Sequence, residues 1–320
     1  MRTGLCQAIF TLALTAALAQ PASAQTYPSR TITMVVAFPA GGYADTFARV
    51  LADRLSAKLG QSVVVENRGG AGGNIGAGTV AHASADGYTL LATTASVAVN
   101  ETYYKTKSYA ASDLRSIAIP AAGAESLSVS TADPAQTLGD LLKEARTKPF
   151  DYASPGVGTS SQVAAAYFFK ELAKIEPLHV PFQGGAPAVN AVIGHHVRVL
   201  VGTLPGFATQ WHAGSLRGLA LASAARLAEF PDVPTYTESG YPLVAETWVG
   251  IFAPAKLDDA IAAKLNAAIN EIVREPATEA KLATFSMQTR VRNIADTEAY
   301  FRAEVAKWGK MVEAIGISAK

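Results

Sequence analysis

The sequence has almost no cysteine: Cys6 is the single one in 320 residues. Arg2, an apolar stretch over residues 8–18 and the small residues of Ala22-Ser23-Ala24 form the pattern of a secretory signal peptide. We therefore predict a signal peptide over residues 1–24, with the mature chain starting at Gln25. Cys6 is removed with that segment. The mature chain then lacks thiols, which excludes disulfides, thiolate nucleophiles and Cys-ligated metal sites.

The sequence also lacks an excess of either charge, with 27 Lys and Arg against 26 Asp and Glu. Loss of Arg2 with the signal peptide leaves a formally neutral chain. A neutral chain has no broad basic surface for nucleic acid, so we expect no nucleic-acid partner. After residue 24 no stretch approaches the roughly 18 apolar residues of a membrane span. The signal peptide, followed by no membrane span, predicts an exported, periplasmic protein.

Common catalytic and nucleotide-binding motifs are missing as well. The sequence contains no G-x-x-x-x-G-K-[ST], no G-x-S-x-G and no H-E-x-x-H. Residues 76–81 fit a loose G-x-G-x-x-A pattern, but too far after the preceding strand, and we interpret the match as chance. The adjacent His195 and His196 are interpreted as a solvated turn, and His179 either packs in the core or reaches a cleft. We predict no catalytic residue, no metal site and no cofactor.

What the sequence does contain is an alternation of strand-like and helix-like segments. Apolar or β-branched runs at 31–38, 62–66 and 88–93 enclose helical patterns, which predicts a β-α-β-α-β unit with a parallel sheet. A second unit begins near residue 124, with strands predicted at 126–129, 151–153, 176–180, 197–201 and 216–222. Two amphipathic helices, 257–274 and 297–315, are predicted at the C-terminus. Nearly 300 residues suit two domains.

Three turns rich in small residues follow predicted strands, at 39–45, 154–161 and 182–187. Ligands of parallel sheets bind outside the carboxyl ends of the strands. Main-chain N–H groups at a helix start favour anions, and glycine allows close approach. Gly41, Gly42, Gly158, Thr159 and Ser160 would be the donors. The alternative is ordinary turn chemistry.

In that alternative, the helices are simply capped by Asp45 and by Ser160 or Ser161. The glycine run at 69–73 is interpreted in the same way. It marks a tight strand-to-helix connection more readily than a ligand contact.

Six ordered blocks of sequence resemble a known family. They are FPAGG..D, GQSVVVENRGGAGGNIGAGTVAHASADGYTLL, YASPGVGTSSQVAAAYF, HVPFQGGAPAVNAVIGHHV, LAEFPDVPTYTESGYP and WVGIFAPA. Together they are similar to the Bug receptors, the periplasmic solute-binding proteins of tripartite tricarboxylate transporters. The resemblance runs from about Tyr27 to the C-terminus.

The resemblance implies an α/β fold of the type II periplasmic-binding-protein class, with two α/β domains and a ligand cleft between them. Domain 1 would comprise residues 25–123 plus 248–320, and domain 2 residues 124–247, with the C-terminal helices packed on domain 1. Such receptors hold a carboxylate through main-chain N–H groups and waters. The predicted ligand-binding residues are Phe38, Pro39, Ala40, Gly41, Gly42, Tyr43, Asp45, Thr94, Ser154, Gly156, Gly158, Thr159, Ser160, Ser161, Gln183, Gly184 and Gly185.

Two positions depart from the family pattern. Tyr43 stands where relatives carry a small residue. It either forms a flat wall of the cleft, which would favour ring-bearing carboxylates, or lies on the outer rim. The segment GHHVRVL lacks an acidic residue that is usual near Arg198, so any family role of that acid is in doubt here.

The predicted function is capture of a small organic carboxylate, aromatic or dicarboxylic, by closure of the two domains. The captured acid would be delivered to the inner-membrane permease subunits of a tripartite transporter. The alternative is a sensor or scavenger that presents the carboxylate to a signalling partner. In both cases the protein is a monomer and not an enzyme.

Overall fold

The computed structural model describes residues 27–319. The predicted signal peptide lies outside this range. The strands are β1 (Ile32–Val36), β2 (Val63–Asn67), β3 (Thr89–Thr94), β4 (Leu114–Ser130), β5 (Asp151–Ser154), β6 (Leu178–Pro181), β7 (Val199–Thr203), β8 (Leu216–Leu221), β9 (Glu246–Pro254) and β10 (Gln288–Thr289). The α-helices are α1 (Tyr43–Leu59), α2 (Asn74–Ala81), α3 (Ser96–Tyr103), α4 (Leu138–Ala145), α5 (Ser160–Tyr167), α6 (Gly185–Ile193), α7 (Ala208–His212), α8 (Asp259–Arg274), α9 (Pro276–Ala283) and α10 (Ile294–Ile315). Within this range no helix is both long and apolar enough to cross a membrane.

The strands form one mixed sheet in the order β2-β1-β3-β9-β4-β7-β5-β6, with β8 and β10 also paired to β4. β1 pairs in parallel with β2 and β3, which confirms the predicted β-α-β-α-β unit. β9 pairs antiparallel with β3 and β4, so the complete sheet is mixed although the predicted unit is parallel. The family block WVGIFAPA thus forms a central strand that the apolar pattern alone did not identify.

Both faces of the sheet are buried, which explains its nearly continuous apolar strands. In β1, Ile32 and Met34 join the core under α1 and α8, whereas Val35 joins the core on the opposite face. α1 supplies Phe47, Leu51 and Leu55 at helical spacing to the first core. Alternate residues of β1 therefore pack against the apolar side of α1 on one face of the sheet.

β4 is the longest strand and joins two halves of the sheet. Residues 114–124 pair with β9, while Glu125 and the residues after it pair with β7 and β8. We call β1, β2, β3, β9, β10 and residues 114–124 the first half, and β5 to β8 with residues 125–130 the second half. The expectation that a new strand begins at Ser126 is wrong, since Ser126 lies within this continuous strand. The partners change one residue after the proposed domain boundary, and the domain division itself stays a prediction.

The C-terminal helices pack as two separate supports. α8 lies against α1 on the first half, and α10 lies against α3, β4 and α5. Trp248 and Trp308 both donate their indole N–H to Glu304 Oε2 of α10, at 2.9 and 3.1 Å. α10 therefore contacts elements of both halves of the sheet.

Candidate functional site

The three turns predicted at strand ends lie around one cavity between the two halves. The first follows β1, the second follows β5 and the third follows β6. The cavity has a volume of about 120 Å³. Its lining includes most of the predicted residues: Phe38, Pro39, Ala40, Gly41, Gly42, Tyr43, Thr94, Thr159, Ser160, Ser161, Gln183, Gly184 and Gly185. Separate segments of sequence thus meet at one edge of the sheet, as the strand-end rule predicts.

Four predicted residues lie outside the cavity lining: Asp45, Ser154, Gly156 and Gly158. The Asp45 carboxylate accepts hydrogen bonds from the Gly41 N–H at 2.8 Å, from Asn67 and from Arg49. Burial works to raise the pKa of Asp45, but these hydrogen bonds outweigh it and lower the pKa below its ordinary value. Asp45 is therefore an ionised residue that fixes the first turn.

The second turn is also held by its own side chains. The Gly158 N–H donates to Gln162 Oε1 at 2.7 Å, and Gly156 O accepts from the Thr159 hydroxyl. Ser154 Oγ lies 2.7 Å from His179 Nε2. The His179 ring is half-buried, and this burial lowers its pKa to about 4. The ring is therefore neutral at neutral pH. The structure places it in a satisfied structural position.

The predicted caps are wrong in both helices. α1 is preceded by Gly42 without a side-chain cap, and Asp45 lies in its first turn. α5 is capped by Thr159, whose hydroxyl accepts from the Gln162 N–H at 3.2 Å. Ser160 and Ser161 are the first helical residues. Their hydroxyls do not cap the helix and can therefore bond to other groups.

Three of the main-chain donors predicted for a ligand already have acceptors in the protein. Gly41 and Gly158 donate to Asp45 and Gln162, and Ser160 donates to the Ser96 hydroxyl at 3.1 Å. The first N–H groups of a helix have no acceptor within the helix. At the start of α1, the main-chain N–H groups left for a ligand are therefore those after Gly41. The starts of α5 and α6 supply the remaining N–H groups.

The two glycines of the first turn have different backbone conformations. Gly41 has φ of +79°, the left-handed region that favours glycine, whereas Gly42 has φ of −82°. A Cβ at Gly42 would lie 3.4 Å from Pro39 O. Gly41 is therefore required by the turn, and Gly42 is required only if its surface must stay open.

Tyr43 lines the cavity and is 8% exposed, so it does not lie on an outer rim. Its hydroxyl is buried and forms no hydrogen bond with any residue described by the structure. Burial, followed by the negative charges of Glu125 and Glu246, raises its pKa well above the ordinary value. The phenol is therefore a neutral donor without an acceptor among residues 27–319.

The cavity has no charged lining residue within the described chain. Its walls include Phe38, Pro187, Leu200, Val201 and Phe207. Sequence reasoning missed the carboxyl end of β7, with Gly202 and Thr203 at the cavity, and the turn after it, with Gly206. The strand itself was predicted, so the strand-end rule could have identified this fourth turn.

Glu125 was also missed, although it is a lone acidic residue in an apolar run. It is 3% exposed and accepts hydrogen bonds at 2.7 Å from the hydroxyls of both Ser160 and Ser161. Burial raises the pKa of Glu125 to about 7, against the effect of these two hydrogen bonds. A titratable carboxyl therefore lies behind two cavity-lining serines.

Contacts between the halves close the site at several places. The glycine run 69–73 does not line the cavity; a Cβ at Gly72 would lie 2.9 Å from Val157 O of the second turn. Tyr104 donates its hydroxyl to Val157 O at 3.3 Å. A Cβ at Gly184 would lie 3.5 Å from Pro39 Cγ. The glycines thus allow the turns of the two halves to approach closely.

No group of three or more His, Cys, Asp or Glu residues that could hold a metal ion occurs in residues 27–319. His195 and His196 follow α6 and are exposed. Arg198 is paired to Asp133 at 2.8 Å and to Glu144 at 2.6 Å. The segment GHHVRVL therefore directs its arginine into an ion-pair cluster away from the cavity lining. The loose G-x-G-x-x-A match at residues 76–81 lies inside helix α2.

Comparison with known proteins relates this chain to one family of receptors. Residues 47–317 match the model of the tripartite tricarboxylate transporter family receptor, TctC. Protein BugT of Bordetella pertussis is 34% identical over 314 residues, which cover 96% of this chain and 95% of BugT.

Solved structures extend the comparison. An R. palustris protein solved with adipate has a TM-score of 0.87 and 31% identity, covering 91% of this chain and 99% of that one. MatC from Rhodopseudomonas palustris with bound malate has a TM-score of 0.84 and 27% identity, covering 89% and 100%. The periplasmic binding protein BugD has a TM-score of 0.86 and 27% identity, covering 92% and 100%. The two-domain α/β fold of periplasmic binding proteins is thereby confirmed.

Proposed function

The chain belongs to the tripartite tricarboxylate transporter receptor family, and from this premise we propose that it captures a small organic carboxylate in the periplasm. It delivers this acid to the inner-membrane permease subunits of a tripartite transporter. The family and its solved relatives are solute-binding receptors, and the protein is not an enzyme.

The observation that carries the proposal is the convergence of three helix starts on one uncharged cavity. Tyr43, Ser160 and Gly185 begin α1, α5 and α6, and all three line the cavity. Helix N-termini carry partial positive charge and outward-facing N–H groups. With no basic side chain in the lining, these termini are the source of positive potential for an anion.

The size and walls of the cavity favour a small acid with an apolar part. The apolar residues Phe38, Leu200 and Phe207 can contact a carbon chain or ring, and Tyr43 adds an aromatic surface. The relatives solved with adipate and malate hold dicarboxylates, which supports the same ligand class for this chain. We propose an aromatic or dicarboxylic acid as the ligand.

Ligand capture would close the halves around the acid. The proposed domains are residues 25–123 plus 248–320 and residues 124–247, and the chain passes between them in β4 and at the start of β9. The change of β4 partners at Glu125 supports this division. A ligand contacting both sides shifts the population toward the closed state only if it binds that state more tightly.

The test is a thermal-shift screen of the protein purified from the periplasm. The panel contains aliphatic diacids, hydroxy-diacids and aromatic acids at 10 mM. A ligand at 100 times its Kd stabilises by roughly 2.7 kcal/mol, which gives a clear rise in Tm. Gly139→Val, on the exposed first turn of α4, should respond like the parent. Failure of the whole panel, or recovery of a chemically changed acid, would contradict the proposal.

Delivery is tested separately in cells. Deletion of the gene should abolish uptake of the radiolabelled acid identified in the screen, and a plasmid copy should restore it. Uptake that continues unchanged, together with a lost transcriptional response to the acid, would favour the sensor instead. N-terminal sequencing of the periplasmic form should start near Gln25.

A further inference from the structure

The two serines that begin α5 share one buried carboxylate. Ser160 Oγ donates to Glu125 Oε1 and Ser161 Oγ donates to Glu125 Oε2, each over 2.7 Å. Ser160 Oγ also lies 3.2 Å from the Thr247 hydroxyl of β9. The Glu125 main chain is fixed in β4, where its oxygen accepts from the Ala222 N–H at 2.7 Å. The Glu125 carboxylate is therefore held in a fixed position directly behind the two serines of the cavity wall.

No ion pair to Glu125 is formed by any residue between 27 and 319. The titratable groups that face this region are the phenols of Tyr43 from α1 and Tyr236 from the segment after β8. Glu246 of β9, Tyr300 of α10 and Arg290 lie near Tyr43. Burial accordingly raises the pKa of Glu125 to about 7, so both protonation states are accessible near neutral pH.

The hydroxyl hydrogens decide what the serines can offer to a ligand. Each serine hydroxyl has one hydrogen and two acceptor lone pairs. When Glu125 is ionised, both hydrogens point to it and the serines present only acceptors to the cavity. When Glu125 is protonated, its own O–H donates to one serine, whose hydrogen is then released to donate toward a ligand carboxylate. Protonation also removes a negative charge behind the site of a bound anion.

We propose that the Glu125–Ser160–Ser161 cluster is a proton-binding site coupled to ligand capture, so that a carboxylate binds with uptake of one proton by Glu125. This inference rests on the proposed function and adds a proton to it. A receptor of this design binds its acid more tightly as the pH falls, because the proton and the carboxylate enter together. By linkage, Kd changes by up to about tenfold per pH unit while Glu125 is ionised in the free protein and protonated in the complex.

Titration calorimetry measures the proton directly. The acid with the largest thermal shift in the panel is titrated at pH 7.5 in phosphate and in Tris, whose ionisation enthalpies differ. We expect net uptake approaching one proton and a Kd that rises about tenfold between pH 7 and pH 8.5. Glu125→Gln holds a neutral amide in the same place. It should bind without proton uptake and with a Kd that changes less than about twofold over this range.

Glu246→Gln is the matched control, because Glu246 lies opposite Ala124 in β9, whereas the hydroxyls of the two serines bond to Glu125 and Thr247. It should keep the uptake of the parent. Zero uptake by the parent, or equal uptake by Glu125→Gln, would overturn the linkage while leaving carboxylate binding intact. If no acid in the panel binds, the proposed function fails and the linkage fails with it. Should Glu125→Gln not fold, a direct carboxyl ¹³C NMR titration of the parent, free and saturated, decides the question; an unshifted Glu125 resonance contradicts coupling.

Discussion

The Ser160 amide donates to the Ser96 hydroxyl over 3.1 Å, and this bond joins the first turn of α5 to the segment that follows β3. Ser96 Oγ in turn accepts from the Thr94 hydroxyl at 3.0 Å. Both serines are buried. A helix-start donor of the second half is thus satisfied by the first half instead of remaining open for a ligand.

Ser96→Ala should remove the acceptor of this buried amide. We expect a loss of about 1–3 kcal/mol in the free energy of unfolding, since an unsatisfied buried N–H costs its full desolvation. Urea unfolding monitored by tryptophan fluorescence measures it. Ser84→Ala, at an exposed site, should stay within about 0.5 kcal/mol of the parent. If the two variants are equally stable, the bond between the halves carries no net energy.

Tyr43→Phe should leave the stability of the ligand-free protein unchanged or raise it by about 1 kcal/mol. The hydroxyl removed makes no hydrogen bond to the described residues, so nothing is lost with it. Tyr109→Phe is the matched comparison, because the buried Tyr109 hydroxyl donates to Asn74 Oδ1 at 3.0 Å. That variant should lose about 1 kcal/mol. Equal losses in both variants would mean that the Tyr43 hydroxyl is satisfied in solution.

Gly42→Val should weaken carboxylate binding at least tenfold, about 1.4 kcal/mol, while the protein stays folded. The backbone at Gly42 has φ of −82° and tolerates a side chain, so the effect comes from the added bulk at the cavity. Calorimetry with the acid selected by the screen gives the affinity, and a melting curve checks the fold. Parent-like affinity in the folded variant would place the anion elsewhere.

Glu125→Gln should change how stability depends on pH. Folding raises the Glu125 pKa from its ordinary 4.5 to about 7, so the folded state binds this proton more tightly than the unfolded state. The resulting stabilisation is complete below pH 4.5 and is lost as the pH rises to about 7. At about 1.4 kcal/mol per pH unit, the parent should lose about 3 kcal/mol relative to the variant.

Chemical unfolding of both proteins at pH 5, 6, 7 and 8 measures this difference. Parent and variant curves that run parallel would show that Glu125 keeps an ordinary pKa in the folded protein. Glu246→Gln serves again as the control. Its curve should follow the parent at every pH, because it leaves the buried cluster intact.

Local patterns in the sequence were enough to predict most elements. The spacing of Phe47, Leu51 and Leu55 predicts α1 because a helix repeats every 3.6 residues whatever lies around it. The three turns could be predicted together because parallel strands end at one edge of a sheet. The resemblance to a receptor family, carried by six ordered blocks, supplied the fold and the ligand class.

The identity of the usable donors was decided only by the tertiary structure. Whether an amide is free depends on side chains distant in sequence, as the bond from Ser160 to Ser96 shows. The antiparallel insertion of β9 between β3 and β4 likewise depends on pairing that no local period encodes. Glu125 is an ordinary acidic residue in the sequence, and burial behind Ser160 and Ser161 alone makes it titrate near neutral pH, since desolvation is a property of the packed site.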